Sequence, residues 1–254
     1  MLDPRITPCL LIHHGGLVKT INFKDPKYVG DPINAVKIFN EKKADELIVL
    51  DIDATSDNKE PNYDLIAKLA NECRMPLCYG GGVKTVDQFK RIISLGVEKV
   101  AVSSEAIKNP TLIKKAAEVV GNQSVVVVID LKKKLFSNSY DIYIKNGKIK
   151  IKDNLKLLLR KFEEYGAGEI VINSIDNDGK MQGYDYKLIA KIIKTLNVPV
   201  TALGGAGSMK DIRTLIKQHK IIGAAAGSFF VFKGKYRAVL INYPSQEEKD
   251  KIIQ

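Results

Sequence analysis

Tryptophan is missing from this chain, and histidine and cysteine occur only three times each. Cys9, Cys73 and Cys78 form an odd set without metal-ligand spacing, so neither a disulfide framework nor a cysteine metal cluster is expected. Cys9 and Cys78 sit in apolar runs and read as small core residues of a reducing compartment. No apolar run approaches the roughly 18 residues that cross a bilayer, and no secretory leader pattern is present. A cytoplasmic protein without a membrane partner is therefore expected. The stretch "GGGVKT" lacks the GxxxxGK[ST] spacing of a nucleotide P-loop. No motif interleaves aromatic and basic residues, so nucleic acid is not an expected partner either. No cofactor and no metal are expected.

What the chain has in excess is positive charge. Lys and Arg total 40 against 29 Asp and Glu, a net +11, which favours anionic ligands or an acidic partner. The basic residues are dense only in "LKKKL" and "FKGKYR". With 254 residues, 45% of them hydrophobic, the chain can fill one large α/β core or two small ones.

Short β-rich runs at 5–11, 46–52, 75–79, 99–103, 124–130, 169–175, 198–203 and 221–226 alternate with amphipathic stretches. In "NYDLIAKLANEC", Leu65, Ile66, Leu69 and Cys73 share one helical face. "DPINAVKIFNEK" opens with an Asp31 cap and Pro32 at the first helical position. Eight such units suit a (β/α)8 TIM barrel better than a doubly wound sheet. The halves also repeat. "ADELIVLDIDAT" at 44–55 matches "AGEIVINSIDND" at 167–178, and "MPLCYGGGVKTVDQF" from Met75 matches "VPVTALGGAGSMKDI" from Val198 at the same offset. The reading is a single barrel domain over 1–254, with half-barrels of about 1–122 and 123–232 and a divergent tail at 233–254.

A twofold barrel should carry paired sites at the C-terminal ends of its strands. The third strand ends in Gly80-Gly81-Gly82 and the fourth in Ser103-Ser104. Their counterparts are Gly204-Gly205 and Gly227-Ser228. Backbone N–H groups at glycines, serine hydroxyls and helix N-termini all favour anions. Taken singly, each glycine cluster could equally be a tight turn; the duplicate placement favours a ligand with a phosphate at each end. Among carboxylates, Asp130 closes "SVVVVID" at a strand end, a place that suits a general acid or base. Asp51, Asp53, Asp176 and Asp178 lie just past strands, where Asp53 and Asp176 read as turn or helix caps. Setting the fifth strand on the first pairs "VVVVID" with "ITPCLL", so Asp130 falls opposite Leu11. His13 and His14 follow in the loop, where solvation is the ordinary fate of a histidine.

Over roughly 1–232 the sequence resembles the cyclase subunit of imidazole glycerol phosphate synthase. The resemblance rests on "RITPCL", "LVKTINFK", "GDPINAVKIFNEKKADELIVLDI", "GGGVKTVDQFKRIISLGVEKV", "AAEVVGNQSVVVVID", "GAGEIVINSIDNDG" and "GGAGS". It implies a (β/α)8 barrel that receives ammonia from a glutaminase subunit at its floor and uses it on a bisphosphorylated ribulosyl substrate. It assigns Gly82, Ser103 and Ser104 to one phosphate, and Asp178, Gly179, Gly205, Gly227 and Ser228 to the other. Lys19 matches a lysine of the first loop that closes over substrate. Arg5, Glu46, Lys99 and Glu169 match a charged ring that gates the floor, and Asp45 and Glu98 match glutaminase-docking residues.

Two departures stand out against the family. Leu11 takes the place of the first of two catalytic aspartates, the second matching Asp130, and "IHHGG" replaces a charged loop. After the eighth strand, "VFKGKYRAVLINYPS" replaces an amphipathic final helix and reads as extended, leaving that wall of the barrel for a partner to cover. Asn146-Gly147 in "SNSYDIYIKNGKIKI" signals a hairpin after the fifth strand. Both departures resemble a paralogous branch that passes ammonia to a sugar amidotransferase in surface-polysaccharide synthesis. The competing readings are a true histidine-pathway cyclase and a glutaminase-independent sugar-phosphate isomerase on the same fold.

Overall fold

The structure is a computed structural model that describes residues 4–135, 137–219 and 222–253. Within them, parallel strands β1 (Arg5–His13), β2 (Leu47–Asp51), β3 (Leu77–Gly80), β4 (Lys99–Val102), β5 (Val125–Lys133), β6 (Glu169–Ser174), β7 (Val200–Leu203) and β8 (Gly223–Ala226) pair in sequence order. β8 pairs back onto β1, with Arg5 opposite Gly223, so the sheet closes into the expected barrel. All eight expected strands form with slightly shifted ends. Residue 221, which opens the eighth expected run, lies outside the described residues.

Alternation along each strand builds two apolar shells. On β1, Ile6, Leu10 and Ile12 face the helices, together with Phe39, Ile66, Phe89, Phe162 and Ile192. Cys9 faces inward with Ile48, Cys78, Ala101, Val126, Val128, Val171, Leu203 and Ala225. The inner residues are mostly small, because eight strands leave a narrow interior. Cys9 and Cys78 are thus core residues, as expected; burial pushes the Cys9 thiol up to about 11. The expected cap at Asp31 also forms, its carboxylate accepting from the Asn34 N–H at 2.9 Å.

Two antiparallel hairpins rise from the C-terminal rim. The second runs Tyr140–Ile144 and Ile149–Ile151, with Asn146-Gly147 at its tip, as the sequence predicts. The first, Gly16–Ile21 and Lys24–Gly30, was not anticipated. It leaves β1 through a two-residue turn in which His14 (φ 49°) and Gly15 (φ 79°) are both left-handed. That turn twists with the strands it joins, which is why such turns dominate tight hairpins. Gly15-Gly16 suggests a turn one residue further on, because histidine holds the first left-handed position.

The tail is extended or irregular through Ser245, as the sequence reading has it, and departs from that reading only beyond. Phe232–Lys233 pairs with Ala238–Val239, and the chain then runs irregularly to Ser245, but it ends in a helix, Gln246–Ile253. "SQEE" is a capping box: Glu248 N–H meets Ser245 Oγ, and Ser245 N–H meets the Glu248 carboxylate at 2.8 Å. The helix packs against helix Met209–Gln218 and buries Ile252. Tyr243 is buried against Phe230, and its hydroxyl donates to Ile6 C=O at 2.7 Å and accepts from Asp45 N–H at 3.0 Å. The barrel wall there is covered by the chain's own tail rather than left for a partner. Tyr243→Phe strands one buried carbonyl and one N–H, and is expected to cost about 1–3 kcal/mol in urea-induced unfolding. An unchanged midpoint would remove the tyrosine from this role.

Candidate functional site

The floor of the barrel is closed by four charges from four strands. Arg5 bridges Glu46 at 3.0 Å and Glu169 at 2.9 Å, and Lys99 bridges the same two carboxylates at 2.6 and 2.8 Å. The four residues expected as a ring do form one, with cation and anion alternating. Thr201, which the sequence reading missed, adds a hydroxyl donor to Glu169. Burial alone would push the Glu169 carboxyl up, but Arg5, Lys99 and Thr201 hold it below its ordinary value. Glu46 lacks that hydroxyl and is held up by burial and by the neighbouring Glu169 charge. One step above the ring, on the same face of β1, Thr7 Oγ1 is buried without a protein partner.

A cavity of about 170 Å³ occupies the other end of the strands. The register there shows that the two halves are not equivalent. Cys9 pairs with Ile48 and, in the second half, Val128 pairs with Val171. Two residues further on, Leu11 pairs with Leu50 and Asp130 with Asn173. Leu11 and Asp130 are therefore symmetry mates, as the repeat implies, and all four residues line the cavity. One side is a leucine pair. The other is a carboxylate accepting from Asn173 Nδ2 at 3.0 Å. Burial pushes Asp130 up to about 7; the Asn173 bond opposes this and the nearby Asp178 charge adds to it.

The expected phosphate residues converge on the same cavity. Gly82, Ser103 and Ser104 line one side, and Asp178, Gly179, Gly205, Gly227 and Ser228 line the other. The short helices Ser104–Lys108 and Ser228–Val231 both start without a side-chain cap. Helix N–H groups left this way are the usual partners of an anion. Ser103 Oγ and Asn173 Oδ1, both lining the cavity, also lack protein partners. Lys19 lies on the first hairpin, buried, with Nζ donating to Cys9 C=O and packed where a Gly227 side chain would be. Burial pulls its amine down.

Asp178 differs from a free phosphate-site carboxylate. It accepts from Thr20 Oγ1 at 2.8 Å and from Phe23 N–H at 3.3 Å, and so fastens the first hairpin over the cavity. Gly179 is required beneath it, since a Cβ there would lie 1.9 Å from Thr20 C=O. The second hairpin is fastened by Asn146, whose Nδ2 donates to Ile52 C=O at 2.6 Å and meets Ser56 Oγ at 3.0 Å. The hairpins meet where Phe23 packs against Gly147. This roof was not read from the sequence, although Asn146-Gly147 marked half of it.

Around the rim, the capping residue is Asp51 rather than Asp53: Asp51 Oδ1 accepts the N–H groups of Asp53 and Ala54 at 2.9 and 3.0 Å. Asp53 instead meets His13 Nδ1 at 2.7 Å and His14 N–H at 2.7 Å. Asp176 does take a backbone donor, Lys133 N–H, at 2.7 Å. At the floor, Asp45 is held by Ile6 N–H at 3.0 Å and by Lys249 Nζ at 2.6 Å, and Glu98 by Leu77 N–H at 2.7 Å. Both expected docking residues thus already serve the chain's own fold. No described helix is long and apolar enough to cross a membrane.

A family model described as histidine biosynthesis protein matches residues 5–237. A protein of Leptospira interrogans, provisionally described as imidazole glycerol phosphate synthase subunit HisF, is 56% identical over 253 residues, spanning 100% of both chains. A Vibrio vulnificus protein, provisionally described as subunit hisF3 of that synthase, is 55% identical over 254 residues, covering 100% of this chain and 98% of that one. The imidazole glycerol phosphate synthase subunit HisF of Clostridium botulinum is 40% identical over 247 residues, covering 97% and 98%.

The raised Asp130 carboxyl sets a pH dependence. Unfolded, it ionises near pH ~4; folded, it keeps its proton to about 7, so its contribution to stability is lost as pH rises through that window. Asp130→Asn removes the loss. The variant is expected to gain about 2–3 kcal/mol on the unchanged protein between pH 5 and pH 8, read by denaturant unfolding at both. Parallel pH profiles would contradict the assignment.

Proposed function

The chain belongs to the histidine biosynthesis family, as a cyclase-type subunit of imidazole glycerol phosphate synthase, and from that premise we propose that it conducts ammonia rather than closing an imidazole ring. The observation that carries this reading is the Leu11–Leu50 pair at the symmetry position of Asp130 and Asn173. At these two matched strand positions a two-carboxylate reaction has one carboxylate. General acid–base help is worth about 10²–10⁴-fold, and a leucine supplies none of it.

The floor fits a conduit. The ring of Arg5, Glu46, Lys99 and Glu169 is mutually satisfied, so it stays shut at rest; displacing one long cationic arm opens a path. Above it the interior walls are Cys9, Cys78, Ala101 and Ala225. An apolar wall strips hydration at high cost for ammonium but low cost for neutral ammonia. The unpartnered Thr7 hydroxyl offers a passing molecule one hydrogen bond. In this reading a glutaminase docks on the floor rim near Asp45 and Glu98, with Lys249 of the tail beside Asp45. Ammonia leaves at the C-terminal face to a sugar amidotransferase of surface-polysaccharide synthesis.

A second reading, a working cyclase on a bisphosphorylated ribulosyl substrate, draws on Asp130 poised at about 7 between two anion cradles. One assay separates the two. Given ammonium salt and that substrate, the protein is expected to form imidazole glycerol phosphate at least about 100-fold more slowly than a two-aspartate cyclase run alongside. Comparable turnover would sink the conduit reading. Leu11→Asp is expected to recover part of the deficit, measured in the same assay.

A further inference from the structure

We propose that His13, His14 and Asp53 form a binding site for one divalent transition-metal ion of the zinc class at the rim of the cavity. Two imidazoles and a carboxylate are a donor set suited to such ions, and one that oxygen-seeking Mg²⁺ and Ca²⁺ do not favour. One ligand atom from each of the three residues lies within 4.8 Å of the other two. His13 Nδ1 is 2.7 Å from Asp53 Oδ1, and His14 Nδ1 is 3.6 Å from Asp53 Oδ2. Donors around a tetrahedral ion with bonds of ~2.1 Å stand about 3.4 Å apart. The His14–Asp53 spacing already fits. His13 faces the other oxygen of the carboxylate, in a hydrogen bond that has to open by about 0.7 Å to admit the ion.

The scaffold holds the three donors before any ion arrives. The left-handed turn at His14 and Gly15 sets the two imidazoles side by side, with ring centroids 3.9 Å apart. The His14 N–H fixes Asp53 Oδ2 at 2.7 Å, and Asp51 in turn holds the Asp53 backbone at 2.9 Å. Such outer support is what orients metal ligands elsewhere. Position also matters. His13 stands two residues beyond Leu11 on β1 and so on the same strand face, and Leu11 lines the cavity. Asp51 and Thr55, on either side of Asp53 in the chain, line it as well. With three protein donors, a tetrahedral ion keeps one position for water or for an oxygen of a ligand at the cavity mouth.

The test uses the full-length protein without a histidine tag, carrying Cys73→Ser to remove the half-exposed thiol, and stripped with a chelator. Co²⁺ is titrated in while its visible ligand-field absorption is followed, and Zn²⁺ is titrated against a chromophoric chelator. One equivalent per chain is expected, with a nitrogen- and oxygen-ligand cobalt spectrum. His14→Ala alters an exposed side chain and keeps the fold, checked by circular dichroism; it is expected to weaken Zn²⁺ by more than about tenfold, as is Asp53→Asn. Failure to saturate at one equivalent, or an affinity unmoved in His14→Ala, would overturn the proposal. Neither result bears on the ammonia reading, which uses none of these three residues.

Discussion

Four charges that cannot be left alone organise this barrel. Arg5, Lys99 and Glu169 open β1, β4 and β6, Glu46 directly precedes β2, and the four meet at the floor of a narrow apolar tube. An unpaired charge there is far more costly than a paired one, so the ring forms only when all four strands are in register. Once the floor is set, strand alternation settles everything above it. Cys9 must face inward, Leu11 must reach the cavity, and Asp130 must stand across from it with Asn173. The ring is weak evidence for net stability, since an apolar plug could do as well. Its worth lies in demanding one arrangement.

The elements legible in the sequence were those carried by local pattern. Strand runs and the Asn146-Gly147 turn follow from periodicity or turn chemistry, and both are present, while the paired glycine clusters line the cavity. The repeat even yielded the Leu11–Asp130 equivalence that the strand register bears out. What stayed hidden depended on contacts distant in the chain. Thr201 on Glu169, Asn173 on Asp130 and Asp178 on Thr20 leave no periodic trace, because any hydroxyl or amide could occupy such positions for local reasons. The Asp51 and Asp53 roles were exchanged because both residues offer the same cap, and only the turn at His14 decides between them. The last helix is a different kind of miss. Its "SQEE" box was visible, but the β-branched stretch before it outweighed an octet with five charged residues.

The cavity is lopsided in a way that a symmetric barrel does not require. One half presents two leucines, the other a buried acid with an amide partner, and glycine-rich strand ends surround both. Duplication built two equivalent strand ends, and this chain treats them differently. The glycine-rich strand ends are built from backbone, which a change at Leu11 does not disturb.

The tail has a consequence for how the chain reaches its final form. The Tyr243 hydroxyl donates to Ile6 C=O across 237 residues, and the first strand also pairs with the last. Contacts this distant close late. During synthesis the first strand emerges early yet lacks both its β8 neighbour and the tyrosine that secures its carbonyl. Its edge stays open until nearly the whole polypeptide has left the ribosome. A strand edge left open is a template for pairing with other chains. In this barrel the interval of greatest exposure is therefore set by the stretch of chain between β1 and its two late partners, and it ends when β8 and Tyr243 arrive.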